Sequence, residues 1–448
     1  MRTPKEIRND IIQLVEEYDR AARRELDRPF QPGQKIPYSS RVYDHRERTN
    51  LVDSALEFWL TSGRYCAAFE TGLANYLGTQ SVAAVNSGSS ANLLAFMALT
   101  SPLLGDRRIN RGDEVITVAA SFPTTVSSII NYGAVPVFVD VEPDTLNIDA
   151  NLLEMAFSPK TRAVMLAHTL GNPFNVRKVK NFCDHHHLWL IEDNCDALGA
   201  EYDLGAGYRK TGTLGDIGTS SFYPAHHITM GEGGAVYTSN EQIAKILFSM
   251  RDWGRDCVCP PGHDNTCGHR FDRQFGELPM GYDHKYVYSH FGYNLKITDM
   301  QAAIGCAQLE KLPGFVQSRR QNWDYLYQAL AGFQDQIILP RVEPDSLPSW
   351  FGFAVTLREG CGTTRSAIVD HLEKRGIQTR NLFSGNLVKH PCFDDMRKSG
   401  TGYRIVGELK QTDRIMNHTF WIGVYPGLNQ DKLEYMASSL VSALRQAG

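Results

Sequence analysis

Between Val82 and Thr238 short apolar runs alternate with helical segments, and this alternation constrains the fold more than any other feature of the chain. Val82–Val85, Glu114–Ala120, Val135–Val141, Ala163–Ala167, Leu188–Glu192 and Ala235–Thr238 read as buried strands, as does the short run ending in Ser220 and Ser221. Helical patterns at Thr124–Asn131 and Lys178–His186 separate several of them, which predicts a mainly parallel sheet covered by helices on its faces. Ligands of such sheets bind beyond the carboxyl ends of the strands. The segments at Ser87, Phe122, His168, Asp193 and Ser221 all lie at predicted strand ends, so they are expected along one edge.

The flanking segments are simpler. Thr3–Arg28 and Leu51–Leu60 read as helices, and a long helix opening near Thr298 is expected to lead out of the large domain. From about Glu343 a strand-like FGFAVTLRE and helices at Arg365–Arg375 and Gln430–Arg445 predict a compact α+β unit. The expected division is residues 1–50 as an N-terminal helix and arm, 51–320 as a large domain with a cysteine-bearing insertion at 255–290, and 321–448 as a small domain. A net charge of −4 without a long basic run argues against a nucleic-acid groove. No apolar stretch approaches the roughly 20 residues of a membrane span, and the charged start MRTPKEIRNDII is unlike a signal peptide, so a cytoplasmic enzyme is expected.

Nine cysteines without a secretory signal do not suggest a disulfide framework. Cys66, Cys183, Cys306, Cys361 and Cys392 stand alone and are expected to be buried small hydrophobes. Cys257, Cys259 and Cys267 cluster in the polar CVCPPGHDNTC, and Cys195 sits among the carboxylates of IEDNCD. The small-residue turn Ser87–Ser90, opening a helix at about Ala91, suits either an anion or an ordinary helix cap. Asp193, ending an apolar strand, reads as a partner for a protonated pyridine nitrogen, or as a helix cap or metal ligand. His185, His186 and His187 are expected at a solvated helix end, and His168 near the site, where it can bond substrate or cofactor.

Several motifs in order carry a resemblance: NSGSSANLLA, GAVPVFVDVEPDTLNID, HTLGNP, IEDNCDALGA, SSFYPAHHITMGEGGAV and GYNLKITDMQAAIGCAQLEKL. Over roughly residues 50 to 440 the chain resembles the fold type I sugar aminotransferases of the DegT/DnrJ/EryC/StrS group. The resemblance implies a pyridoxal-phosphate-dependent transferase fold of the α/β class: a mostly parallel seven-stranded sheet, a smaller C-terminal α+β domain, and a homodimer with shared sites. By position, Gly88, Ser89 and Ser221 would hold the cofactor phosphate, Phe122 would stack on the ring, and Asp193 would pair with its nitrogen. Asn294 in GYN would reach the phosphate in the neighbouring subunit, and Arg380, Ser384, Asn386 and His390 resemble a substrate-facing segment.

The chain departs from the group where the aminotransferases have lysine: SSFYPAHH places His226 there. Imidazole cannot form an internal Schiff base, so the cofactor is expected to be held non-covalently, as pyridoxamine 5′-phosphate. His226 remains able to move protons near neutral pH. Asp196 also differs from the usual Gln or His, and neither it nor His227 has an assigned role. The lysine-to-histidine change resembles the deoxysugar 3-dehydrases of the wider family. It implies removal of the C3 hydroxyl from a nucleotide-linked 4-keto-6-deoxyhexose, foremost CDP-4-keto-6-deoxy-D-glucose. The TDP-linked sugar, a cluster-free glutamate-dependent reaction and a non-catalytic regulator are the alternatives. Cys195, Cys257, Cys259 and Cys267 resemble the set that holds a [2Fe–2S] cluster in the reductive branch, with structural zinc and His263 or His269 as the competing reading. That branch implies an NADH-dependent flavin and iron–sulfur reductase as partner.

Overall fold

The computed structural model describes residues 1–26, 29–257, 259, 262–266 and 268–446. Its central sheet has eight strands in the spatial order Ser81–Val85, Gly234–Thr238, Ile217–Ser221, Trp189–Asp193, Thr161–Ala167, Glu114–Val118, Val135–Val139 and Arg404–Ile405. Gly234–Thr238 runs antiparallel to both neighbours, and every other pairing is parallel. The seven strands expected between residues 81 and 238 are therefore present. The eighth, only two residues long, comes from the C-terminal part of the chain and adds to the free edge of Val135–Val139.

Both faces of the sheet are covered, which explains the unbroken apolar runs. Trp189–Asp193 and Glu114–Val118 are buried at every residue. Each fully buried Val, Leu or Ile contributes about 1.5–3 kcal/mol relative to exposure, and Leu190, Ile191, Val164 and Ile116 are completely buried. The helix Pro123–Tyr132 starts with proline at its first position, where a missing N–H costs nothing.

The long helix Asp299–Leu330 opens with a capping box in which Thr298 and Gln301 satisfy each other's main-chain N–H groups. Its buried Asp299 also accepts from the main-chain N–H groups of Gly63 and Cys66 at 2.9 and 2.8 Å, capping the separate helix Arg64–Leu77. The C-terminal part carries a second, four-stranded sheet in the order Ile337–Ile338, Gly352–Leu357, Thr419–Gly423 and Thr379–Asn381, packed against Arg365–Lys374 and Gln430–Arg445. Among the described residues no helix is long and apolar enough to cross a membrane.

Candidate active site

Parallel pairing brings the expected residues to one edge, because the strand ends at Asp193 and Ser221 and the turns at Ser87 and Ser121 all open on the same side of the sheet. The helix after the first strand starts at Gly88, three residues earlier than the pattern suggested, with Ser87 as its cap accepting from Ser90 N–H at 3.0 Å. Gly88 touches Ser221 so closely that a Cβ there would lie 2.4 Å from the serine Cβ. Ser89 is exposed beside them. Free N–H groups, two hydroxyls and no side chain at Gly88 make an anion cradle at a helix start.

Asp193 is buried at the end of its strand. Its Oδ2 accepts from Asn92 Nδ2 and Thr125 Oγ1, each at 2.8 Å, and its Oδ1 accepts from Cys195 N–H at 3.2 Å. Asn92 and Thr125 were not singled out from the sequence; their helical positions, one turn into the helices that follow two strands, were the available signal. Phe122 caps the next helix and stays 52% exposed, edge-on to Phe383 at 6.4 Å. A large ring left uncovered beside a buried carboxylate and an anion cradle fits a flat, phosphorylated aromatic cofactor.

His168 departs from expectation. It is completely buried, its Nε2 pairs with Glu192 Oε2 at 3.0 Å, and its Nδ1 accepts from Phe174 N–H at 3.3 Å. Both nitrogens are taken, so none is left for a ligand. Burial would raise the Glu192 carboxyl, but His168 and the N–H groups of Gly215 and Gly212 outweigh it and hold it below the usual range.

The turn after Ile217–Ser221 presents His226. Its ring stacks on Phe351 with centroids 5.2 Å apart, and its Nδ1 lies 3.6 Å from Asp196 Oδ1, beyond hydrogen-bond reach. Among the described residues, His226 Nδ1 and Asp196 Oδ2 are buried without a hydrogen-bond partner. Burial lowers the His226 imidazole to about 4, and burial together with Asp193 raises the Asp196 carboxyl to about 8. His227 is buried behind it, with Nε2 donating to Ser349 O at 2.8 Å.

The other expected residues are placed as follows. Asn294 is exposed, in a bridge with Asp252. Ser384 Oγ donates to Ser121 O at 2.7 Å, His390 Nε2 bonds Ser384 O at 2.7 Å, and Asn386 donates to Asp413, so this loop docks on the turn that carries Phe122. Arg380 lies over the Tyr38 ring at 3.9 Å. His186 and its neighbours do end a helix, as expected. Cys66 and Cys183 are buried, but Cys306 and Cys361 are half-buried and Cys392 is exposed, so isolation in the sequence did not guarantee burial.

Three of the four cysteines expected to act together lie among the described residues. Cys195 is half-buried two residues beyond Asp193, and burial with the Asp193 charge pushes its thiol well above the usual value. Cys257 and Cys259 line a small cavity with Arg270, His284 and Lys285, and Cys267 lies outside the described residues. Among the described residues no group of three or more His, Cys, Asp or Glu side chains is placed to hold a metal ion.

Comparison with known proteins identifies the family. The DegT/DnrJ/EryC1/StrS aminotransferase family profile matches residues 42–441. The chain is 53% identical to lipopolysaccharide biosynthesis protein RfbH of Salmonella typhimurium strain LT2, across 97% of this chain and 98% of that one. It is 50% identical to dTDP-4-dehydro-2,6-dideoxy-D-glucose 3-dehydratase of Saccharopolyspora spinosa, across 90% and 85%. Among solved structures, E. coli GDP-4-keto-6-deoxy-D-mannose-3-dehydratase with bound hydrated PLP superposes with a TM-score of 0.79 at 28% identity, covering 91% of this chain and 99% of that one. The chain belongs to the DegT/DnrJ/EryC1/StrS aminotransferase family, and its fold is the fold type I architecture of that family.

Proposed function

We propose that this family member is a pyridoxamine-phosphate-dependent lyase that removes the C3 hydroxyl of a nucleotide-linked 4-keto-6-deoxyhexose. One observation carries the reading: the turn between Ser221 and Gly234 offers a half-buried, neutral imidazole at His226 and contains no lysine. Relatives named as sugar 3-dehydratases support it. In this reading 51–320 forms the large domain, 321–448 the small one, and 1–50 the N-terminal helix and arm.

Gly88, Ser89 and Ser221 hold the cofactor phosphate, Phe122 covers one ring face, and Asp193, fixed by Asn92 and Thr125, meets the ring nitrogen. Bound pyridoxamine phosphate supplies an amine for the C4 ketone and a ring that accepts electrons. His226 moves the proton. With Nδ1 turned toward Asp196 and ordinary acidity suppressed by burial, the ring is neutral at pH 7 and its Nε2 is the atom that accepts. Asn294 reaches the phosphate bound in a second copy of the chain, which makes the working unit a homodimer.

The finer reading adds a [2Fe–2S] cluster on Cys195, Cys257, Cys259 and Cys267, and an NADH-dependent flavin and iron–sulfur reductase as electron donor. It rests on the cysteine spacing and on Cys195 following Asp193 by two residues. Anaerobically purified protein is expected to contain about two iron and two sulfide per chain; zinc without sulfide, or no metal, removes the cluster and the reductase with it. The CDP-linked sugar is the proposed substrate. The 50% identity to a dTDP-sugar 3-dehydratase favours a TDP-linked sugar as second reading. Turnover of CDP-, TDP- and GDP-linked 4-keto-6-deoxyhexoses, with reductase or with glutamate, decides among them, and no C3 dehydration of any removes the lyase reading.

A further inference from the structure

Arg319, on the long helix Asp299–Leu330, is a fully buried arginine, 2% exposed, and among the described residues no carboxylate lies within ion-pair distance of it. A buried charge normally demands a counter-charge, and burial lowers this guanidinium to about 9. It is spent on carbonyls instead. Nη1 donates to Trp350 O at 3.1 Å and Phe351 O at 3.4 Å, and Nη2 donates to His226 O at 3.3 Å.

The same stretch, Ser349–Phe351, is fastened on every side. Ser349 N–H donates to Gly171 O at 3.1 Å, its hydroxyl to Leu198 O at 2.8 Å, and its carbonyl accepts His227 Nε2 at 2.8 Å. Phe351 N–H donates to Leu170 O at 2.8 Å. At Gly171, with φ 89°, a Cβ would lie 2.0 Å from Ser349 O, so the contact tolerates no side chain. The ring of Phe351 is also the surface on which His226 stacks. His226 Nδ1 has no hydrogen-bond partner among the described residues, so the attitude of the imidazole depends on its own main chain, on that ring and on the Cys195 main chain it faces.

We infer that Arg319 and His227 are positioning residues for His226: together they lock the main chain of the histidine turn to Ser349–Phe351, where the chain enters the second sheet, and so set the orientation of the imidazole. This inference rests on the role proposed above for His226. It gives His227 a function and accounts for a buried cation that, among the described residues, has no carboxylate within ion-pair distance.

The test is Arg319→Lys, which keeps a positive charge but cannot span three carbonyls in a plane. Turnover is expected to fall about tenfold or more, with KM and pyridoxamine phosphate affinity within about threefold. Added to His226→Asn, the lysine is expected to cost nothing further, because it acts through the imidazole. The ¹⁵N ring signals of His226, recorded without substrate, are expected to move. His227→Gln, which retains an N–H for Ser349 O, is expected to restore most of what His227→Leu loses, and this pair decides the matter if Arg319→Lys does not fold. An additive loss with His226→Asn, a loss of affinity in step with turnover, or unmoved ring signals overturns the inference. If the wild-type protein dehydrates no nucleotide sugar, the lyase reading fails and the ring signals alone decide this one.

Discussion

The two flanks of the strand-end edge differ in how far their polar atoms are satisfied. Around Asp193 both carboxylate oxygens are occupied by Asn92, Thr125 and the Cys195 N–H, and behind it Glu192 receives His168 and the N–H groups of Gly212, Leu214 and Gly215. Around His226 four buried atoms have no partner among the described residues: Nδ1 of His226 and of His227, Oδ2 of Asp196 and Nε of Arg319. An unpaired buried polar atom costs about 1–3 kcal/mol. The saturated flank is scaffold, whereas the unsaturated flank bears a folding cost at the place where the proposed mechanism moves a proton.

That contrast breaks most easily at its extremes. His226→Asn is expected to lower turnover by about 10²- to 10⁴-fold while leaving thermal unfolding nearly unchanged, since Nδ1 forms no hydrogen bond. A large fall in melting temperature would put His226 in the scaffold instead. Glu192→Ala should act in the opposite sense, costing about 3–5 kcal/mol in denaturant unfolding, because it strands His168 and three main-chain N–H groups. Thr125→Val removes one of two donors to Asp193 Oδ2. A weakening of cofactor affinity worth about 1 kcal/mol is expected by titration, and no change would mean that Asn92 alone fixes the carboxylate.

The smallest effect near neutrality is the pH response. Burial is the main cause that lowers the His226 imidazole from 6.5 to about 4, with Asp193 opposing it. The folded state then binds fewer protons than the unfolded one between these values, so the stability contributed by neutral His226 is complete above pH 6.5 and lost as pH falls toward 4. The acid limb of kcat/KM should likewise lie nearer 4 than 6.5; a limb at 6.5 would show that the imidazole is hydrated.

Much of this was local in the sequence. The runs that became Thr161–Ala167 and Trp189–Asp193 are apolar throughout, and Gln430–Arg445 matched its helical pattern to the residue. The helix Arg64–Leu77 escaped because Gly63 offers no capping side chain; its cap, Asp299, comes from another helix. Arg404–Ile405 is too short to carry a strand signature and pairs only because Val135–Val139 leaves an edge free. His168 was placed correctly at a strand end and misjudged in role, since a strand end does not tell whether a ring faces the cavity or Glu192.

The sequence by itself determined the strand and helix order, the edge on which the candidate site lies, and the presence of His226 with no lysine in the turn after Ser221, because periodicity and residue identity are properties of neighbouring positions. Only the tertiary structure decided which polar atoms are satisfied. Asn92, Thr125, Ser349 and Arg319 come from distant segments, and whether a buried group finds a donor depends on packing that no local pattern records.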